Sequence, residues 1–276
     1  MSKNIFIAVF CIVALILCYK VEQSVYQTKT YSYYKSLTAD MQDSLLVQDT
    51  DAKQSMQDNV LEENEKEAEI KKVAYLTFDD GPSKITKDVL KVLKDEDVRA
   101  TFFIIGSQIT EDTEPVLKEM IDNGNVIGVH TYSHVGKSIY KSPDAYFEDF
   151  TKACDKIKEV TGMEPKILRF PWGSTNSFMS NYSEKIISEL ELEGFTYYDW
   201  NVSAEDSVGK PTEYSILHNI EKDYKKYKQP VILMHDSAIN KLTAKVLPKI
   251  IKELKEEGYS FDTLDHMETP YQFARD

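Results

Sequence analysis

Two clusters in this 276-residue chain carry residue types suited to metal-assisted acid–base chemistry. In Thr77-Phe78-Asp79-Asp80-Gly81-Pro82-Ser83, two carboxylates stand side by side before a Gly-Pro turn. Neighbours leaving a strand point in different directions, so one can hold a cation while the other faces a substrate. The plain alternative is a helix N-cap at Asp80 or Ser83. In His130-Thr131-Tyr132-Ser133-His134, two imidazoles lie at i and i+4. On a helical turn that spacing puts both on one face, as two ligands of one ion require. A lone histidine is more often a satisfied surface or core residue, but two of the chain's five in this register favour ligation. With one carboxylate they form a set that leaves coordination positions open for water and substrate. Zinc is the first expectation for this single divalent ion, and donors without thiolate leave cobalt, nickel, manganese and iron open. His218 reads as a helix-face residue and His266 as part of the C-terminal segment.

Strand-like and helix-like runs alternate around these residues. β-rich runs occur at residues 73–78, 101–105, 126–130, 167–170, 196–202, 231–234 and 259–264. Between them apolar residues recur at helical spacing, as in Val116, Leu117, Met120 and Ile121, or Leu247, Ile250, Ile251 and Leu254. Gly124, Gly162, Gly194 and Gly258 suit left-handed caps at helix ends. The alternation predicts an α/β fold, a distorted (β/α) barrel of about seven parallel strands, with a doubly wound open sheet as the alternative. Asp79, Asp80, His130, His134, Arg169, Asp199, Trp200, His235 and Asp236 all fall at or near C-terminal strand ends, the rim where barrel active sites form.

Composition narrows the rest. Charged residues sum to −13, which repels phosphate backbones and argues against a nucleic-acid partner. Cys11 and Cys18 sit in the N-terminal apolar run, leaving Cys154 alone elsewhere and excluding both a disulfide framework and a cysteine-rich zinc site. The uncharged run from Ile5 to Cys18 makes residues 1–20 an expected membrane signal anchor, or a signal peptide if cleaved. Residues 21–72 form an acidic, polar stalk, helical or disordered, and residues 73–276 the expected catalytic domain.

Five motifs in order resemble those of the polysaccharide deacetylases of carbohydrate esterase family four, the NodB homology group. They are Thr77-Phe78-Asp79-Asp80-Gly81, His130-Thr131-Tyr132-Ser133-His134, Arg169-Phe170-Pro171-Trp172-Gly173, Asp199-Trp200 and Leu233-Met234-His235. The resemblance implies that Asp80, His130 and His134 bind the metal and that Asp79 is the general base. It implies that His235 protonates the leaving amine, that Arg169 pairs with Asp79, and that Asp199 pairs with His235. A backbone N–H near Trp172 would receive the oxyanion. Phe170, Pro171, Trp172, Trp200 and Leu233 would contact substrate, the last two around the acetyl methyl. Trp172 stands where relatives often have tyrosine, and Val135 where many have proline. Asn201, Ser203 and Asp206 are open between a cleft-lining and a turn role.

The expected activity is therefore hydrolytic N-deacetylation of an extracellular glycan, with N-acetylglucosamine of peptidoglycan as first substrate and acetate as product. Chitin-type oligomers, poly-N-acetylglucosamine and acetylated xylan are alternatives. A non-catalytic, cell-surface sugar-binding protein is the alternative of another class. A monomeric catalytic domain, membrane-anchored or secreted, completes the expectation.

Overall fold

A strand buried on both faces needs a near-continuous run of apolar and β-branched residues, and Val73 to Phe78 supplies one. In the computed structural model, which describes residues 71–179 and 181–275, this run opens β1 (Val73–Gly81). The chain continues through α1 (Lys84–Asp95), β2 (Thr101–Ile104), α2 (Glu114–Asp122), β3 (Val126–Val129) and the single turn α3 (Gly136–Ile139). Then come α4 (Pro143–Thr161), β4 (Ile167–Leu168), α5 (Ser183–Leu192), β5 (Thr196–Tyr197) and β6 (Val202–Ser203). Last are α6 (Glu213–Tyr224), β7 (Val231–His235), α7 (Lys241–Glu256) and β8 (Ser260–Phe261). The expected membrane segment and nearly all of the stalk lie outside the described residues. No described helix is long and apolar enough to cross a membrane.

Every strand pairing is parallel, in the order β5-β4-β3-β2-β1-β7-β6, with β8 added beside the start of β1. This is the expected distorted barrel, curled but open between β5 and β6. The run 196–202, expected as one strand, is therefore two. Tyr197 ends on one edge of the sheet, Val202 begins on the other, and Tyr198 to Asn201 cross the gap. The C-terminal segment lies over that crossing: Asp199 N–H donates to the Tyr271 carbonyl at 2.8 Å and the Gln272 amide to the Tyr197 carbonyl at 3.2 Å.

Strand alternation divides the core. Ala74, Leu76 and Phe78 on β1, with Ile232 and Met234 on β7, join the large helix-facing cluster. Tyr75 and Val231 point the other way, with Phe103 and Ile167, into a smaller interior cluster. Period two then carries that inward line on to Thr77 and Asp79, and to Leu233 and His235. Burial of the two apolar stripes thus determines which side chains reach the C-terminal rim. Gly124, Gly162, Gly194 and Gly258 have φ of 74°, 74°, 80° and 81°, the left-handed caps expected after α2, α4, α5 and α7.

Candidate active site

Asp79 and Asp80 diverge because β1 is bulged between them. Asp79 pairs with Phe103 and Gly81 with Ile104, so Asp80 is an extra residue, set at φ 72° and turned out of the ladder. The loop is pinned where Asp236 N–H donates to the Asp79 carbonyl (3.1 Å) and Ile105 N–H to that of Gly81 (2.9 Å). Ser83 takes the capping role at α1, its hydroxyl accepting from Ile85 N–H at 2.9 Å, and so leaves Asp80 free. Asp80 Oδ1 is buried, accepts no hydrogen bond, and lies 3.6 Å from His130 Nε2 and 3.5 Å from His134 Nε2.

His130 stands at the end of β3 with its Nδ1 2.8 Å from the Arg169 carbonyl. A carbonyl only accepts, so Nδ1 carries the proton and the Nε2 lone pair faces Asp80, the tautomer a metal ligand needs. Burial, aided by His134, lowers the His130 pKa to about 3, so the ring is neutral at ordinary pH. The i, i+4 rationale itself needs correction, because no helical turn joins the two histidines. Thr131 and His134 adopt φ of 65° and 54° in a loop held by Asp149 of α4, which accepts from Tyr132 N–H (2.6 Å) and Ser133 N–H (3.1 Å). The histidine rings lie 5.0 Å apart. Potential ligand atoms of Asp80, His130 and His134 all fall within 4.8 Å of one another. A buried carboxylate oxygen with no donor, facing two imidazole nitrogens, fits a divalent cation by charge and donor chemistry.

On the inward line, Asp79 Oδ1 accepts from Arg169 Nη1 at 3.0 Å, as expected, and Oδ2 lies 3.8 Å from His130 Nε2. Arg169 is fully buried, donating also to Thr77 Oγ1 (2.7 Å) and to the Tyr198 and Asp199 carbonyls (3.0 Å each), with Phe103 stacked 4.3 Å beneath. Burial raises the Asp79 pKa, and Arg169 opposes that rise. The resulting carboxylate is fixed in place and more basic than an exposed one.

His235, the register partner of Asp79 on β7, corrects another expectation. Its Nδ1 lies 2.7 Å from Asp206 Oδ1, and Asp206 Oδ2 accepts from His235 N–H at 2.8 Å. Asp199 is not its partner. Asp199 instead accepts from Ser174 N–H (2.8 Å), Ser174 Oγ (2.6 Å) and Phe273 N–H (2.8 Å), tying the Trp172 loop to the C-terminal segment. Asp199 stands before the gap and Asp206 after it, in the loop that follows β6, which runs beside β7. Burial alone would lower the His235 pKa, but the hydrogen bond and charge of Asp206 outweigh it and lift the value to about 9.

The cleft walls are mixed. Trp172, at φ 64°, is half exposed and its ring lies 4.7 Å from that of His134. Its backbone N–H donates to none of the described residues, whereas the next two, of Gly173 and Ser174, are bound. Pro171 is buried beneath, its carbonyl accepting from Tyr140 (3.3 Å) and Asn176 (3.2 Å). Leu233 lies inward, two residues before His235, and Trp200 is half-buried against Phe273. Phe170 does not belong among substrate contacts: fully buried, it packs on Tyr146 and Tyr197 in the helix-facing core. Asp80, Thr131, His134 and Trp172 together place four non-glycine left-handed residues at one site. Such conformations cost about 1–3 kcal/mol each and persist where surroundings enforce them, commonly at functional sites.

Asp236 is fully buried, accepting from Thr86 Oγ1 at 2.5 Å, and burial raises its pKa to about 7. Its carboxylate fills the space beside Gly81, where an added Cβ would stand 2.5 Å from Oδ2. Gly81→Ala should therefore displace the Asp80 loop and cost about 1–3 kcal/mol. Chemical denaturation and titration with divalent cations would check this, with lowered stability and weakened binding expected together.

A sequence-family model described as polysaccharide deacetylase matches residues 66–195. The chain is 34% identical over 201 residues to a peptidoglycan-N-acetylglucosamine deacetylase of Bacillus cereus, covering 70% of this chain and 69% of that one. It superposes with a TM-score of 0.69 and 31% identity on the catalytic domain of a peptidoglycan N-acetylglucosamine deacetylase from Eubacterium rectale, covering 74% of this chain and 93% of the other. For the polysaccharide deacetylase Bc1974 of Bacillus cereus the values are 0.65 and 32%, with 74% and 97% covered.

Proposed function

The chain belongs to the polysaccharide deacetylase family, and from that premise we propose that it removes acetyl groups from N-acetylglucosamine units of peptidoglycan outside the membrane. The observation that carries this reading is the flanking of the Asp80, His130 and His134 cluster by a carboxylate and an imidazole, Asp79 held by Arg169 and His235 held by Asp206. A divalent cation held by the cluster, zinc first among the candidates, would acidify a water and polarise the acetyl carbonyl.

Asp79 accepts a proton as water oxygen bonds to the carbonyl carbon. Trp172 N–H donates to the oxygen on which charge develops. His235 donates from Nε2, since Nδ1 is committed to Asp206, and the carbon–nitrogen bond breaks to leave acetate and a free amine. An amide nitrogen needs that proton because it cannot depart as an anion. Direct register of Asp79 with His235 across β1 and β7 lets the base at the attacking water and the acid at the leaving nitrogen serve one acetamide. The expected signal anchor, the source of the extracytoplasmic placement, favours a wall polymer over soluble oligomers.

Acetate release from peptidoglycan, chitin oligomers and acetylated xylan, before and after chelation and with zinc restored, tests the reading. Release is expected from peptidoglycan, abolished by chelator and recovered with zinc, and His130→Ala and His134→Ala should lose metal and turnover together. Acetate from none of the three with metal restored would move the protein to the sugar-binding class.

A further inference from the structure

An aromatic line leads away from the metal ligands along one wall of the cleft. His130 and His134 rings lie 5.0 Å apart, His134 and Trp172 4.7 Å, and Trp172 and Phe178 5.2 Å. The last two members are open to solvent, Trp172 at 47% and Phe178 at 45%, and neighbouring Val135 is 51% exposed. Side chains of this size carry a large apolar payload, and contiguous exposed ones beside a catalytic centre mark a contact surface.

The surface is built. Gly136 lies beside both rings: a Cβ there would meet Trp172 at 2.8 Å and Phe178 at 3.4 Å, so the glycine lets them pack close to the start of α3. Asn176 holds the loop between them. Its amide donates to the Pro171 and Gly173 carbonyls (3.2 and 2.7 Å), and its Oδ1 accepts from Phe178 N–H at 3.0 Å. Among the described residues Phe178 makes no ring contact with His130 or His134, and it lies one ring contact further from them than Trp172.

We infer that Phe178 forms a stacking platform for the pyranose next to the reacting one in the same N-acetylated glycan chain. The inference rests on the glycan reading above. Its occupant follows from continuity: the platform begins at Trp172, against the metal ligand His134, so the ligand there must be joined to the one in the site. A pyranose offers the apolar C–H face that an aromatic ring accepts, and a neutral platform selects by chain length, not by charge. The protein should therefore prefer oligomers long enough to reach Phe178 over the shortest substrates.

The test compares wild type, Phe178→Ala and Phe178→Tyr, each as the full chain, with N-acetylglucosamine oligomers of increasing length. Affinity is followed by tryptophan fluorescence, for which Trp172 and Trp200 are the chain's two reporters, and acetate release is measured separately. Expected is an affinity rising with length in wild type, a loss of about fivefold for the long oligomers in Phe178→Ala, the size of one aromatic stacking contact, and recovery in Phe178→Tyr. Equal affinity of wild type and Phe178→Ala at every length overturns the platform, as does equal loss at all lengths or failure of wild type to bind any oligomer. Length-dependent affinity that Phe178→Ala erases, without acetate release by metal-loaded wild type from these oligomers, peptidoglycan or acetylated xylan, upholds the platform and overturns the deacetylase reading instead.

Discussion

Asp79→Asn should retain metal and lose turnover, with kcat falling by about 10²–10⁴-fold, the usual contribution of a positioned base. Asparagine has the same shape and can still accept from Arg169, but it cannot take a proton at the oxygen that lies 3.8 Å from His130 Nε2. The ligand set is untouched, because the bulge at Asp80 separates the two carboxylates by direction as well as by residue. Removing one charge of a buried pair costs about 3–5 kcal/mol of stability, so thermal melting and metal content are measured beside kcat. A variant that is folded, metal-loaded and fully active would end the assignment of Asp79 as base.

The second large effect is on pH dependence. His235 must be protonated to act as acid, and Asp206 lifts its pKa to about 9 against the lowering effect of burial. Wild-type activity should therefore persist below that value and decline as pH rises through it, while burial-raised Asp79 sets an acid limb above the ordinary carboxylate range. In Asp206→Asn the largest lifting charge is gone, Asp79 and Asp80 lift less, and burial remains, so the His235 pKa should fall toward the free value of about 6.5 and the alkaline limb should move down by about two units. At pH 8 the loss of protonated acid alone amounts to about 30-fold. The profile of kcat/KM measures it, and Asp199→Asn supplies the contrast, because Asp199 bonds Ser174 and Phe273. Movement of the alkaline limb in Asp199→Asn with none in Asp206→Asn would reverse the pairing described here.

Local pattern was sufficient for much of this protein. Strand and helix runs, four glycine caps and the clustering of polar residues at strand ends follow from periodicities of two and 3.6, which act over a few residues. The cluster of Asp80, His130 and His134 was legible because its members sit in two short motifs whose residue types are chemically narrow. The reason given for one of them was not: His130 and His134 meet through a left-handed loop that Asp149 of a distant helix secures, and no i, i+4 rule describes it. Phe170 shared a motif with Arg169 and Trp172, yet it alternates with inward-facing Arg169 and so packs in the core, while Trp172 sits in a left-handed turn.

What the sequence determined by itself was the set of elements, the parallel α/β architecture and the chemistry of the donor groups, all consequences of residue type and short-range spacing. Tertiary structure alone decided which carboxylate meets His235 and where the barrel opens. Both depend on the crossing from β5 to β6, which carries the chain from one edge of the sheet to the other and places Asp206, not Asp199, beside β7. No local period encodes which edges remain unpaired. That outcome is settled when the whole sheet curls around its buried interior.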